Sequence, residues 1–151
     1  MNKTVKILVV EPGKKPYTKK IEDSLRDFQN VVEGCIEAFY PFENENIVCF
    51  CNDEGLINGL TPNWAWYNRD VDKNNPHSIL CGTFFAVGDD GRGDTRSLTE
   101  KEIEIATNLF SRDRLVPGAN NTFVLINKPE ILNRYLKTKK EGKTNERNCN
   151  L

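Results

Sequence analysis

The sequence predicts an α+β fold, a mostly antiparallel sheet of five or six strands with two or three helices packed on one face of it. Short apolar runs rich in β-branched residues alternate with turn-forming residues, which is typical of strands joined by hairpins. Amphipathic stretches with helix-capping residues interrupt those runs. The chain has 151 residues, of which 38% are hydrophobic, so one domain with a sizeable core is expected.

The first part of the chain predicts a hairpin followed by a helix. Residues 5–10 are an apolar strand, and residues 17–21 return antiparallel to it. Pro12-Gly13 suits the centre of a type II turn, in which glycine takes a positive φ. The helix that follows can be capped by Asp23 or Ser24 and ends at Gly34 as its C-terminal cap.

The middle of the chain predicts a second hairpin and one long strand. Residues 35–40 and 47–51 are apolar and flank a polar turn, so they are expected to pair. Thr61 can cap a short helix that begins at Pro62, where proline is well placed as the first helical residue. Residues 79–87 are then predicted to be a single strand, interrupted by Gly82.

The last part of the chain contains the clearest helix signal. Thr99-x-x-Glu102 is a capping box, and it predicts a helix over about residues 100–111. A strand over residues 122–126 and a third helix from Pro129 follow.

Domain organisation follows from composition and charge. Residues 1–136 are expected to form one globular domain, and residues 137–151 a polar, disordered tail or unpacked helix end. Residues 1–20 contain six lysines and one acid, whereas residues 21–60 contain nine acids and one arginine. The formal net charge is only −1, so no global field favours nucleic acid or a membrane surface.

Cysteine usage and hydropathy predict a cytoplasmic protein. Five cysteines, without a targeting segment at the start of the chain, are typical of a reducing compartment. No apolar run approaches the length of a membrane span, so no membrane association is expected. Cys49 and Cys51 are spaced too closely for the usual redox or zinc motif, and neither a metal nor a cofactor is predicted.

Several segments together resemble a bacterial and phage family, number 3846 of the domains of unknown function. The resemblance extends over about residues 5–112. The segments that carry it are Lys6–Pro16, Ile36–Phe42, Cys51–Gly55, Gly59–Asn63, Gly82–Gly88 and Ser97–Thr99. One departure is Trp64, which stands where an arginine is expected in the family, while Arg69 lies further along the chain.

This resemblance implies a small accessory protein of a phage or mobile genetic element that acts inside a bacterial cell. It implies no particular activity. The leading hypothesis is therefore a non-enzymatic protein that binds a host protein or a small ligand and so modulates a host process, such as a defence system. Homo-oligomerisation remains open.

The candidate site is the polar corner that follows residues 47–51. Adjacent carboxylates at a strand end point to opposite sides, so Asp53 and Glu54 make a poor acid–base pair, and no catalytic residue is assigned. One interpretation is a purely structural turn. The other is a groove in which amides and carboxylates read a ligand while tryptophans and Tyr67 stack on it. The candidate ligand- or partner-binding residues are Asn52, Asp53, Glu54, Asn58, Asn63, Trp64, Trp66 and Arg69.

Two alternatives stay open at the sequence level. A nucleic-acid-binding protein would use a basic rim formed by Lys14, Lys15, Lys19, Lys20 and the tail from Lys137. An enzyme would use Asp53 or Glu54 in a cleft.

Overall fold

A computed structural model describes residues 3–138 and confirms the α+β class, with ten strands in two antiparallel sheets and three helices. The strands are β1 (Thr4–Val10), β2 (Tyr17–Glu22), β3 (Ile36–Phe39), β4 (Ile47–Asn52), β5 (Pro62–Trp66), β6 (Ser78–Cys81), β7 (Phe84–Asp89), β8 (Thr95–Arg96), β9 (Arg114–Pro117) and β10 (Phe123–Ile126). The helices are α1 (Leu25–Val32), α2 (Glu100–Phe110) and α3 (129–138). None of the described helices is long and apolar enough to cross a membrane.

The large sheet has the order β2-β1-β7-β4-β3, and β8 pairs with β7. Both predicted hairpins are confirmed, because β1 pairs with β2 and β3 pairs with β4, each antiparallel. Gly13 has a φ of 71°, as the predicted turn requires. Strand β7 unites the two hairpins by pairing with both β1 and β4.

Helices α1 and α2 lie on opposite faces of the large sheet, so the expectation that the helices share one face was wrong. Phe84 of β7 packs with Ala106 and Phe110 of α2. The next residue, Phe85, packs with Phe28 of α1, with 5.1 Å between the ring centroids. Successive side chains of a strand point to opposite faces. Because β7 is apolar on both faces, each face needs its own cover.

The four-stranded small sheet, of order β10-β9-β5-β6, was not predicted. The single strand predicted over residues 79–87 is in fact two strands, with β6 in the small sheet and β7 in the large one. Gly82 lies between them with a φ of 82°, which lets the chain change sheets. The short helix predicted at Pro62 was also wrong. Those residues form β5, which pairs with β6 and β9.

The predicted N-terminal capping signals are confirmed at α1 and α2. The capping box of α2 is present, with Thr99 and Glu102 bonded to each other's backbone. Ser24 caps the start of α1, but Glu33 rather than Gly34 takes the left-handed conformation at its end, with a φ of 63°.

The C-terminal segment covers the β9–β10 part of the small sheet. The strand and the helix predicted after residue 120 are both confirmed as β10 and α3. Val116 of β9, Ile126 of β10 and Leu132 of α3 form their own buried cluster. Of the predicted tail, residues 137 and 138 continue α3, and the remainder lies outside the described residues.

Candidate functional site

Asn52, at the end of β4, is buried and joins three segments of the chain. Its Nδ2 donates to the carbonyl oxygens of Val32 and Glu33, at 3.1 and 3.3 Å. Its Oδ1 accepts from the Glu54 N–H at 2.8 Å. The side chain thus satisfies the end of α1 and forms the turn after β4. A Cβ at Gly34 would lie 2.5 Å from Nδ2, so close packing on Asn52 explains this glycine.

Asp53, Glu54 and Asn58 are exposed on the loop that leads from the large sheet to the small one. The loop is compact, since the Asn58 N–H donates to the Glu54 carbonyl at 2.8 Å. Within residues 3–138, none of these three side chains forms a hydrogen bond or an ion pair. They also line none of the three clefts described for this part of the chain. A role for them in binding stays a prediction.

Asn63 of β5 is completely buried and connects the two sheets. Its Nδ2 donates to the carbonyl oxygens of Val10 and Gly82, at 2.9 and 2.8 Å. Its Oδ1 accepts from Nη2 of Arg114 at 2.8 Å. All the polar atoms of the amide are therefore engaged inside the protein.

Arg114 of β9 is the other half of this network, and its side chain has 0% exposure. Besides the Asn63 amide, it donates to the carbonyl oxygens of Glu11 at 2.7 Å and Lys14 at 2.8 Å. Longer bonds reach the carbonyls of Phe110 and Asn63, at 3.2 and 3.3 Å. Burial lowers the pKa of Arg114 to about 10, so the guanidinium is still protonated at neutral pH. Carbonyl dipoles solvate this charge, and none of the described carboxylates pairs with it.

The two tryptophans have different environments. Trp64 is 2% exposed and packs edge-on against Phe110, with 4.9 Å between the ring centroids. Its Nε1 is buried without a hydrogen-bond partner among the described residues. Trp66 is half-buried, stacks on Trp64 at 6.4 Å, and meets the His77 ring edge-on at 5.0 Å. Trp64 therefore belongs to the core, whereas Trp66 also presents surface to solvent.

That surface of Trp66 forms one wall of a cleft of about 370 Å³. The cleft lies between the end of β3 and the loop that joins β5 to β6. The side chains that give this aromatic cleft its chemistry are Tyr40, Glu43, Trp66, Tyr67, Asp70 and His77. Tyr40 is 60% exposed, so an aromatic ring is available to a ligand at the rim.

Arg69 lies at the edge of the aromatic cleft and is held in place from two sides. Its Nη2 donates to both carboxylate oxygens of Asp113, at 3.0 and 3.1 Å. Its guanidinium carbon lies 4.5 Å from the centroid of the Tyr67 ring. Asp113 is buried with a φ of 55°, so this contact fixes a strained turn as well as a charge.

The three buried thiols, those of Cys49, Cys51 and Cys81, offer little nucleophilic character. Burial raises the pKa of Cys49 and of Cys81, and it raises the pKa of Cys51 to about 11. These groups therefore stay protonated at neutral pH. Within residues 3–138, no three His, Cys, Asp or Glu side chains are grouped so that they could hold a metal ion.

A second cleft, of about 600 Å³, brings the first turn together with α3. We call it the basic cleft, because Lys14, Lys15 and Lys137 line it along with Gly13. Lys14 has one ion pair, at 3.6 Å from Glu11. Part of the predicted basic rim is thus assembled from distant parts of the sequence.

Of the predicted site residues, the structure brings together only Trp66 and Arg69 in one cleft. Sequence reasoning missed Tyr40 and Glu43, which belong to another segment of the chain and reach the cleft through the fold, and Asp70, which directly follows Arg69. It also missed Arg114, because no sequence pattern marks an arginine that will be buried. For the aromatic cleft, the sequence signal that came nearest was Tyr40-Pro41, where an aromatic residue stands at the end of a predicted strand.

Comparisons with known proteins identify a family and give no activity. The model of a family described as Domain of unknown function (DUF3846) matches residues 5–111, from β1 to the end of α2. No curated protein and no solved structure gives a significant match. The matched range contains the whole aromatic cleft, whereas β9, β10 and α3 follow it.

Proposed function

We propose a binding function for this chain, which belongs to the DUF3846 family of domains of unknown function. The chain is a non-enzymatic binding module that takes a ligand group into the aromatic cleft. One observation carries the proposal: Trp66, Tyr67, Tyr40 and His77 surround a cleft of about 370 Å³. Exposed aromatic rings around a concave site are a common means of ligand recognition, because they bury a large area at a small entropic cost.

The biological setting that we propose is the cytoplasm of a bacterial host cell. The chain acts there as an accessory protein of a phage or mobile element and binds a host protein or a small ligand, with a defence system as the process affected. The residues that resemble the family support this setting. The aromatic cleft supports the binding itself, because it lies within the family-matched range.

A capture experiment with matched variants tests the proposal. The full chain is used to purify partners from host lysate, and bound small molecules are released and measured by mass spectrometry. A Tyr40→Ala/Tyr67→Ala double variant should lose the partner or ligand, since it removes two walls of the cleft. Phe123→Ala is the control, because it removes an aromatic ring that is 41% exposed on β10, outside the cleft. Recovery of neither a stoichiometric partner nor a ligand, or equal recovery by the double variant, contradicts the proposal.

A second candidate function is supported by the basic cleft. Lys14, Lys15 and Lys137 give it the charge needed to bind the phosphates of a nucleic acid. Retention on single-stranded nucleic acid should then fall steeply with salt, and Lys14→Gln/Lys15→Gln should weaken it. Lys101→Gln, on the exposed side of α2, is the matched control. Weak retention at low salt excludes this candidate.

A further inference from the structure

We infer that the group bound in the aromatic cleft is an organic cation, the guanidinium or ammonium of a basic side chain on a protein partner. The inference rests on the proposed binding function and specifies the chemistry of its ligand. Two features of the cleft support it: its aromatic faces and the charge of its remaining side chains.

The aromatic faces suit a cation. A guanidinium or ammonium within about 6 Å of a Trp or Tyr ring centroid is attracted by the negative face of the ring. The fold already uses this interaction once at the cleft, since the Arg69 guanidinium lies 4.5 Å from the Tyr67 centroid. Trp66 is half-buried and Tyr40 is 60% exposed, so the ring surface of both is only partly covered by the protein itself.

The charges around the cleft favour a cation and disfavour a phosphate. The positive charge of Arg69 is matched by Asp113 at 3.0 Å. Two further carboxylates, Glu43 and Asp70, line the cleft and are exposed. Neither has an ion pair or a side-chain hydrogen bond within residues 3–138. An entering cation gains two acceptors, whereas an anion meets uncompensated negative charge.

The size and position of the cleft suit a side chain on a polypeptide. A volume of about 370 Å³ is near the lower end of the range for small-ligand sites. Tyr40 stands at the rim, where it can also contact backbone that flanks the bound side chain. A peptide should therefore bind more tightly than the isolated cation.

Nuclear magnetic resonance titrations of the full chain test the inference. The readouts are the indole N–H of Trp66 and the ring signals of His77. The probes are a glycine-flanked arginine peptide, the same peptide with neutral citrulline, methylguanidinium, and neutral benzamide. The arginine peptide should bind roughly five-fold or more tightly than the citrulline peptide, because citrulline keeps the shape and lacks the charge.

Charge variants separate the cation preference from the aromatic contacts. Glu43→Gln/Asp70→Asn should lower the affinity for the arginine peptide roughly five-fold, since each exposed carboxylate contributes modestly. The same variant should leave benzamide binding unchanged. Glu104→Gln/Glu130→Gln removes two exposed charges outside the cleft and should have no effect on either probe.

The outcomes distinguish the inference from the proposal on which it depends. Binding of benzamide without preference for arginine over citrulline overturns the cation, while the aromatic cleft stands as a binding site. Equal affinities for methylguanidinium and the arginine peptide overturn the protein partner in favour of a small free cation. If no probe moves the Trp66 and His77 signals, the inference fails, and the capture experiment alone decides the proposed function.

Discussion

Replacement of Arg114 by methionine should destabilise the protein by about 3–5 kcal/mol, because it leaves several buried oxygen atoms without their hydrogen-bond donor. Arg114 is fully buried and makes five hydrogen bonds, to carbonyl oxygens and to the Asn63 amide. Methionine leaves all five acceptors without their donor. It fills part of the same volume, so the loss measures hydrogen bonding more than packing.

The magnitude follows from the contacts. A hydrogen bond to a charged group contributes about 1.5–3 kcal/mol, and a neutral one about 1 kcal/mol. Three of the five bonds are short, between 2.7 and 2.8 Å, and two are longer than 3.1 Å. Three strong bonds amount to about 4.5–9 kcal/mol, but the variant also avoids the desolvation of a buried charge. The difference leaves about 3–5 kcal/mol, a large part of the roughly 5–15 kcal/mol by which a domain is stable.

Urea unfolding followed by tryptophan fluorescence measures this loss. Arg112→Met is the control, because Arg112 is an exposed arginine two residues away and its replacement should change stability by less than about 0.5 kcal/mol. Arg114→Lys should fall between the two, since lysine keeps the charge and three donors. If Arg114→Met lowers the free energy of unfolding by less than about 1 kcal/mol, Arg114 does not stabilise the contact between the first hairpin turn and β9 as assigned.

Three other predictions concern acid stability, the polar corner and the thiols. The hydrogen bond from Arg96 lowers the pKa of Glu102, so its stabilising contribution is present above pH 4.5 and is lost as the pH falls through the lowered value. The stability gap between wild type and Glu102→Gln should therefore shrink on acidification, and a constant gap in pH-dependent urea unfolding contradicts this. Asp53→Asn/Glu54→Gln should leave the biological effect of the protein unchanged and should change its free energy of unfolding by less than about 0.5 kcal/mol. Loss of the biological effect indicates catalysis or binding at the polar corner. Iodoacetamide at pH 8 should label the folded protein at the exposed Cys35 faster than at Cys51, whose pKa is raised to about 11, and peptide mapping that finds equal rates contradicts the burial of Cys51.

The elements that the sequence predicted well are those fixed by local chemistry. The turn at Gly13 and the capping box at Thr99 each depend on neighbours within a few residues, and both are present. The first hairpin is local as well, because its strands β1 and β2 are joined directly by the loop that contains this turn.

The small sheet escaped prediction because its pairings are long-range. Trp64 of β5 lies opposite Arg114 of β9, fifty residues along the chain, and no local pattern marks such a pair. At Pro62, the local preference for a helix start was outweighed by the burial of Asn63 and Trp64 in the sheet. Gly82 was seen as an interruption of a strand, whereas its positive φ makes it the crossing point between two sheets.

The candidate site was predictable only in part for the same reason. The aromatic residues Trp64, Trp66 and Tyr67 lie within four positions at the end of β5, so their concentration was visible in the sequence. Burial then separates them, since Trp64 enters the core and Trp66 reaches the cleft. Asn52 and Asn63 resembled ligand-binding amides, yet each satisfies buried backbone groups. The residue types were informative, but the tertiary structure decided whether each side chain points into the protein or toward the cleft.

The most direct test of the binding function is a titration of the full chain with the arginine peptide, followed through the nuclear magnetic resonance signals of the backbone amides. We predict that the shifted amides are those around the aromatic cleft, at residues 40–43, 66–70 and 77. Residues 53–58, at the exposed polar corner, should not move. Shifts centred on that corner contradict the assignment of the aromatic cleft as the binding site, and the absence of shifts at any peptide concentration contradicts the inference that the cleft binds a cation.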